Sequence, residues 1–389
     1  MPARPASSQQ PAVLGPVRFL VPGTTGRFRC GGLQVELQTA RLVSRLRPTE
    51  IVTYRQRQAD HPFLADLLRA EPRGASGDGT EAQTPLWIVS WGFEVPRLLR
   101  RLRGRPVAYH AHSSGYGFRL PPGVPVLAVS RNTLGYWGDR APRNPLVLVP
   151  NALDPQWLQR GARPDPAAAA SAAAAPGMAT AAPARRPIDV LVQQRKSSTY
   201  VLRQLVPALR ARGLRVEVQS GWVDDLVDLF NSTTVYLYDS ADYWRGRGVS
   251  EGFGLPPIEA LACGCVVFSS LNHALADSLD PGVLGHQIGC GTLEADLERI
   301  AAAVADPPRW RAAGGTLQAL LAGSSEDALI GRWAAALALV ETHWRRCEAG
   351  AAPLRSRSSL ALRWGQRLER LGRKVGPIGW LAGRLDLTA

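Results

Sequence analysis

Short apolar runs alternate with stretches of helical period along most of this chain. Val17 to Val21 is the first run, followed by Pro22-Gly23-Thr24-Thr25-Gly26 and Gly31-Gly32. Leu33, Leu37, Ala40, Val43 and Leu46 then recur at the spacing of one helix face. Strand, glycine loop and helix form the opening unit of a nucleotide-binding α/β domain. Ile51–Tyr54, Trp87–Ser90, Pro106–Tyr109, Val126–Ser130 and Leu146–Pro150 read as further strands, with an exposed loop over Arg73–Thr84. From Arg163 to Pro187 the composition shifts to Ala and Pro, which cannot build a core and mark a linker or surface insertion. The alternation then resumes: strand Ile188–Gln193, helix Tyr200–Arg212, strand Leu214–Val218, helix Trp222–Phe230 and strand Val235–Tyr238. Beyond Phe268 the pattern predicts a short strand around Gly285–Ile288, a helix over Leu293–Val304 and a long apolar helix over Ser325–Cys347. The whole predicts an α/β protein of two Rossmann-like, doubly wound domains facing each other across a cleft. Their expected bounds are 1–160 and 188–347, joined by residues 161–187 and followed by a tail over 348–389.

The stretch Val249 to Ser270 is the most informative. Glu251 and Glu259 bracket seven residues, within which Gly252 and Gly254 flank Phe253 and lead into Leu255. Pro256 and Pro257 pre-set the backbone for a first helical turn, where a missing N–H costs little. Ile258 to Cys263 is short and apolar, Gly264 ends the helix, and Val266-Val267-Phe268 reads as a buried strand. A glycine loop at a helix N-terminus between parallel strands suits a phosphate or diphosphate. The two carboxylates can face the same ligand as acceptors for its hydroxyls.

Glu251 to Val267 resembles the signature of the retaining glycosyltransferases of family four, the group-one enzymes with the GT-B fold. The pattern is specific: two glutamates at that spacing, Gly-Phe-Gly-Leu-Pro between them, and Ala-Leu-Ala-Cys-Gly after. The resemblance implies glycosyl transfer from a nucleotide-activated sugar, with the donor held mainly by the second domain and the acceptor by the first. It implies that Glu251 accepts hydrogen bonds from sugar hydroxyls and Glu259 from the ribose, with Gly252, Phe253, Gly254 and Leu255 lining the donor. Gly31 and Gly32 match the family's Gly-Gly pair near the donor diphosphate. Arg195 and Lys196 stand where the family grips the diphosphate, although here they are adjacent, and Arg245 and Arg247 can substitute. Asn151-Ala152-Leu153-Asp154 resembles the family's closing Pro-Asn-Gly-Val-Asp, with Ala152 in place of Gly. A family histidine near the sugar or acceptor falls at His110 or His112, which alternation puts on one side of a strand. The resemblance does not choose between them. Two histidines so spaced can also bind a metal, but no carboxylate or cysteine partner lies nearby, so no metal site is expected. No acid-rich D-x-D segment is present for a metal-bound diphosphate. No cofactor is expected beyond the nucleotide-sugar co-substrate. The rival readings are a GT-B protein that binds nucleotide-sugar without transferring it, in a glycan-assembly complex, and a sugar-phosphate synthase.

Charge and cysteine usage refine the picture. The net charge of +14 invites a nucleic-acid partner, but Lys occurs only at 196 and 374, and no zinc-finger spacing or aromatic RNA-binding motif accompanies the arginines. No specific nucleic acid is expected. Much of the excess lies in residues 351–389, which carry eight Arg or Lys against Glu369 and Asp386. There Leu360, Trp364, Leu368, Leu371 and Val375 form one helical stripe beside Arg363, Arg367, Arg370, Arg373 and Lys374. Such a basic amphipathic helix suits an anionic membrane surface or docking on the first domain. The arginines from Arg97 to Arg105 form a second basic cluster. Five cysteines at scattered positions make neither a disulfide framework nor a metal spacing, Met1–Pro11 is polar and Pro-rich, and no apolar run approaches a membrane span. The expected setting is cytoplasmic, peripheral on the inner face of the cell membrane, with a glycan or lipid-linked acceptor.

Overall fold

The computed structural model describes residues 15–28, 30–71, 84–90, 92–163 and 185–375. Met1–Pro11, nearly all of the Arg73–Thr84 loop, most of the Ala/Pro-rich linker and the chain beyond Val375 lie outside the described residues.

The first sheet contains β1 (Val17–Val21), β2 (Thr49–Thr53), β3 (Leu86–Ser90), β4 (Val107–Ala111), β5 (Val126–Ala128) and β6 (Leu146–Leu148). All its pairings are parallel, in the order β2-β1-β3-β4-β5-β6. The second contains β7 (Ile188–Gln193), β8 (Val216–Gln219), β9 (Thr233–Tyr238), β10 (Val266–Ser269) and β11 (His286–Gln287). These are parallel too, in the order β11-β10-β9-β7-β8.

A parallel sheet is buried on both faces, which is why these strands are continuous apolar runs. In the first domain Val17, Phe19, Leu86 and Ile88 face one core with Ala40 and Val43 of the helix Gly31–Val43. Leu20, Trp87 and Val89 face the other, with Val95 and Leu98 of the helix Val95–Arg101. In the second domain Leu191, Tyr236 and Val267 pack on Ile258 and Leu261 of the helix Leu255–Ala262. Val190, Val192 and Val266 pack on Leu209, Leu297 and Ile300. Cys263 and Cys265 are buried thiols, and burial pushes both up to about 12.

Two segments cross between the domains. The helix Pro155–Arg160 places Trp157 in the second core, 5.4 Å from the Phe230 ring. The long helix Glu326–Glu348 returns to the first domain and buries Leu329, Trp333, Ala336, Leu337 and Val340 there. Trp333 meets Phe19 at 5.6 Å, Arg47 pairs with Glu341 at 2.9 Å, and the Trp344 indole donates to the Val107 carbonyl at 3.2 Å. The tail helix Ser359–Val375 carries Leu360, Trp364, Leu368 and Leu371 exposed. Among the described residues no helix is long and apolar enough to cross a membrane.

Candidate active site

A cavity of about 860 Å³ lies between the two domains, lined by residues that follow strand ends. Ligands of open parallel sheets bind at that end of the strands. From the first domain come Gly31, Gly32, His112, Tyr116 and Asn151; from the second come Arg195, Lys196, Trp222, Tyr238, Trp244 and the run Ser250–Pro256 with Glu259.

The glycine run is shaped by close packing. A Cβ at Gly252 would lie 1.5 Å from the His112 carbonyl oxygen, so only glycine lets the loop cross to the first domain there. Ser113 Oγ donates to the Ser250 carbonyl at 2.6 Å and the Ser114 amide to Ser250 Oγ at 2.9 Å, tying the two domains at the same point. Gly254 caps the helix Leu255–Ala262 at a φ of 83°, with Leu275 against it. Pro256 and Pro257 sit in the first turn without N–H groups, so amides for an anion come from the loop and Leu255 rather than from a full turn. A second helix end supplements this one. Gly31–Val43 begins at Cys30 with no side-chain cap, and a Cβ at Gly31 would meet nothing within 4 Å. Its positive end is therefore open to the cavity.

Glu251 is buried and held on several sides. Its Oε2 accepts from Tyr238 Oη and Trp244 Nε1, both at 2.7 Å, and Lys196 Nζ lies 3.4 Å from each carboxylate oxygen. The His273 ring accepts from the Glu251 amide at 3.3 Å. Lys196 takes a left-handed φ of 73°, uncommon outside glycine, and its ammonium lies 4.6 Å from the Trp244 ring centre. Arg195 remains exposed at the cavity wall, so the adjacent pair presents one cation at Glu251 and one toward solvent. Arg245 pairs with Asp242 at 2.6 Å and Arg247 stacks on Tyr243 at 3.6 Å; neither is among the lining residues. Glu259 is half-buried at the cavity. Loss of hydration, with the Asp154 carboxylate adding to it, raises its carboxyl from an ordinary 4.5 to about 7.

The two histidines part company. Both point to the same side of the chain, but His110 is fully buried behind the cavity and His112 lines it. The expectation that no carboxylate stands near them is corrected by Glu36, whose Oε2 lies 2.7 Å from His110 Nδ1 and 2.7 Å from His112 Nε2. Glu36 belongs to the helix Gly31–Val43, far from the histidines in sequence, which is why spacing did not reveal it. Burial would raise its carboxyl, but the two rings overcome that and hold it well below the usual range. Burial pushes the His110 ring down. Among the described residues these three form the one group of His, Cys, Asp and Glu able to converge on a metal, with ligand atoms within 4.8 Å of one another. Glu36 has a readable signal in hindsight. It follows Leu33 by three and precedes Ala40 by four, a charge on the buried helix face, whereas Leu37 is only half-buried. Tyr238 and Trp244, the partners of Glu251, carry no comparable signal.

No family model matches this sequence, and no curated protein does either. Solved structures do. A glycosyltransferase from Rickettsia africae superposes with a TM-score of 0.52 at 10% identity, over 84% of this chain and 98% of its own. Anabaena Alr3699/HepE, in complex with UDP and glucose, gives 0.54 at 15% identity over 84% and 100%. Sucrose-phosphate synthase from Thermosynechococcus elongatus gives 0.53 at 14% over 87% and 100%. At these identities the likeness is one of fold. The chain has the GT-B architecture, two Rossmann-like domains across a cleft.

Proposed function

We propose that the protein is a retaining, metal-independent glycosyltransferase that moves a hexosyl or related sugar from a nucleotide-sugar to a glycan, lipid or small-molecule acceptor. One observation carries the reading: Glu251, Glu259, Lys196, Arg195 and two helix ends converge on a single interdomain cavity. The Anabaena HepE structure holds UDP-glucose, and the pneumococcal O-GlcNAc transferase GtfA, TM-score 0.53 at 9% identity, holds UDP and GlcNAc. Both support a nucleotide-sugar donor here.

Glycosyl transfer must stabilise a departing diphosphate and a cationic sugar centre. Lys196, Arg195 and the amides from Gly252 to Leu255 supply fixed positive potential for the leaving group before it departs. Glu251, immobilised by Tyr238 and Trp244, accepts from sugar hydroxyls. Glu259 accepts from the ribose. The acceptor enters from the first domain, past His112 and Tyr116, where exposed Phe93 stands edge-on to Tyr116 at 5.1 Å. The exposed apolar residues of the tail helix, beside its arginines, support work at an anionic membrane surface, the inner face of the cell membrane, in polysaccharide biosynthesis with a lipid-linked or glycan acceptor. The second reading, binding without transfer, is favoured by the Lys196–Glu251 contact, which already engages the cation a diphosphate needs.

Thermal shift with UDP-, GDP-, ADP- and CMP-sugars tests the first step, since a bound ligand raises the melting temperature. Product analysis with the stabilising donor then decides between the two readings. Product formed with anomeric retention, at a rate that falls in Glu251→Gln, supports transfer; stabilisation without turnover supports binding alone. No stabilisation by any donor ends both.

A further inference from the structure

The Glu36 carboxylate is fully buried on the core face of the helix Gly31–Val43. Its contacts define the state of both rings. Each ring nitrogen stands at hydrogen-bond distance from one carboxylate oxygen, so His110 donates through Nδ1–H and His112 through Nε2–H. The other nitrogen of His110, Nε2, is buried with no hydrogen-bond partner among the described residues, as is Glu36 Oε1. A proton on that bare nitrogen would leave a buried N–H unpaired, so His110 is neutral. Its ring is wedged edge-on against Trp333 at 5.2 Å and stands 4.3 Å from the His112 ring. His110 thus braces the carboxylate without neutralising it. The negative charge of Glu36 is left for His112, the one ring of the pair that lines the cavity.

We propose that Glu36 is a positioning residue for His112: by accepting from Nε2–H it locks the tautomer and orientation of the ring that lines the cavity. The role in turnover rests on the glycosyl-transfer reading; the ring states do not. Carboxylates that orient a functional imidazole through its second nitrogen fix its tautomer in the same way.

Two measurements separate the claims. Long-range 1H–15N spectra of the full chain, with rings assigned through His110→Asn and His112→Asn, should show His112 as the Nε2–H form and His110 as a neutral Nδ1–H form. The opposite tautomer at either ring, or bound zinc in metal analysis of the purified protein, overturns the proposal. In turnover of UDP-glucose, Glu36→Gln should lower kcat by about 10- to 100-fold with little change in KM. Glu36→Gln added to His112→Ala should cost almost nothing further, because the carboxylate acts through that ring. Full additivity, or a loss confined to KM, overturns it. If Glu36→Gln does not fold, the ring states of the native chain still decide. If the native chain turns over no nucleotide-sugar, the functional reading has failed and the spectra alone judge Glu36.

Discussion

Donor affinity should rise with pH and level off near 7, and Glu259 should be the cause. Its carboxyl is raised from 4.5 to about 7 by lost hydration and the Asp154 carboxylate. At roughly 1.4 kcal/mol per unit, that displacement amounts to about 3 kcal/mol against the ionised form. A ribose whose hydroxyls donate to this carboxylate needs it ionised, so binding must pull the proton off. Below about 7 the free protein holds a proton that the complex lacks, and affinity climbs up to tenfold per pH unit as that proton is lost. Between pH 5 and 7 the gain is about fiftyfold; well above 7 both forms are ionised and the profile is flat. The same group weakens the unliganded fold as pH rises. The folded state keeps a proton that the unfolded chain releases near 4.5, so the contribution is intact below that value and lost as pH rises through about 7. Calorimetric titration with UDP-glucose in two buffers of different ionisation enthalpy measures both affinity and protons released. Near pH 6 the native chain should release almost one proton per donor bound, and Glu259→Gln should release none and show a flat profile. A native profile without slope, or an equal slope in Glu259→Gln, would refute the assignment.

Four further outcomes are expected. Glu251→Gln weakens the contacts with Lys196, Tyr238 and Trp244 and should raise the transfer barrier by about 2–4 kcal/mol, seen as a matching fall in kcat. Gly252→Ala forces a carbon onto the His112 carbonyl and should destabilise by about 1–3 kcal/mol or more, measured by denaturant unfolding. Trp333→Ala empties the first core beneath Phe19 and His110 and should cost about 3–5 kcal/mol in the same assay. The full chain should co-sediment with phosphatidylglycerol vesicles and lose that binding in about 1 M salt, while a chain ending at Cys347 should stay in the supernatant.

Much of the fold was legible because parallel strands are apolar on both faces. β1 and β7 coincide with the runs read from the sequence, and the helix Leu293–Ala305 differs from its expected span by one residue. The Glu251–Val267 stretch placed the loop, the helix and β10 correctly because glycine and proline carry their own backbone constraints. The helix Gly314–Gly323 was missed: it opens on Gly-Gly and buries only Leu321, so it shows little period. The helix Arg131–Arg140 buries little more, Thr133 and Trp137. Apolar spacing puts Leu37 on the core face where Glu36 is buried, since it cannot distinguish neighbours on a rotated face. The partners of Glu251 and the Ser113–Ser250 tie come from chain brought together by folding, which no local pattern encodes.

The long helix Glu326–Glu348 has a consequence for synthesis. The amino-terminal half emerges from the ribosome lacking the wall that Leu329, Trp333, Ala336, Leu337 and Val340 provide, so one side of its sheet stays wet until that helix has been made. The second half has a core that draws only Leu153, Trp157 and Leu158 from upstream and needs nothing from the long helix. The opening half is therefore tied to a segment made long after it, and a premature stop anywhere before residue 326 leaves it without its cover.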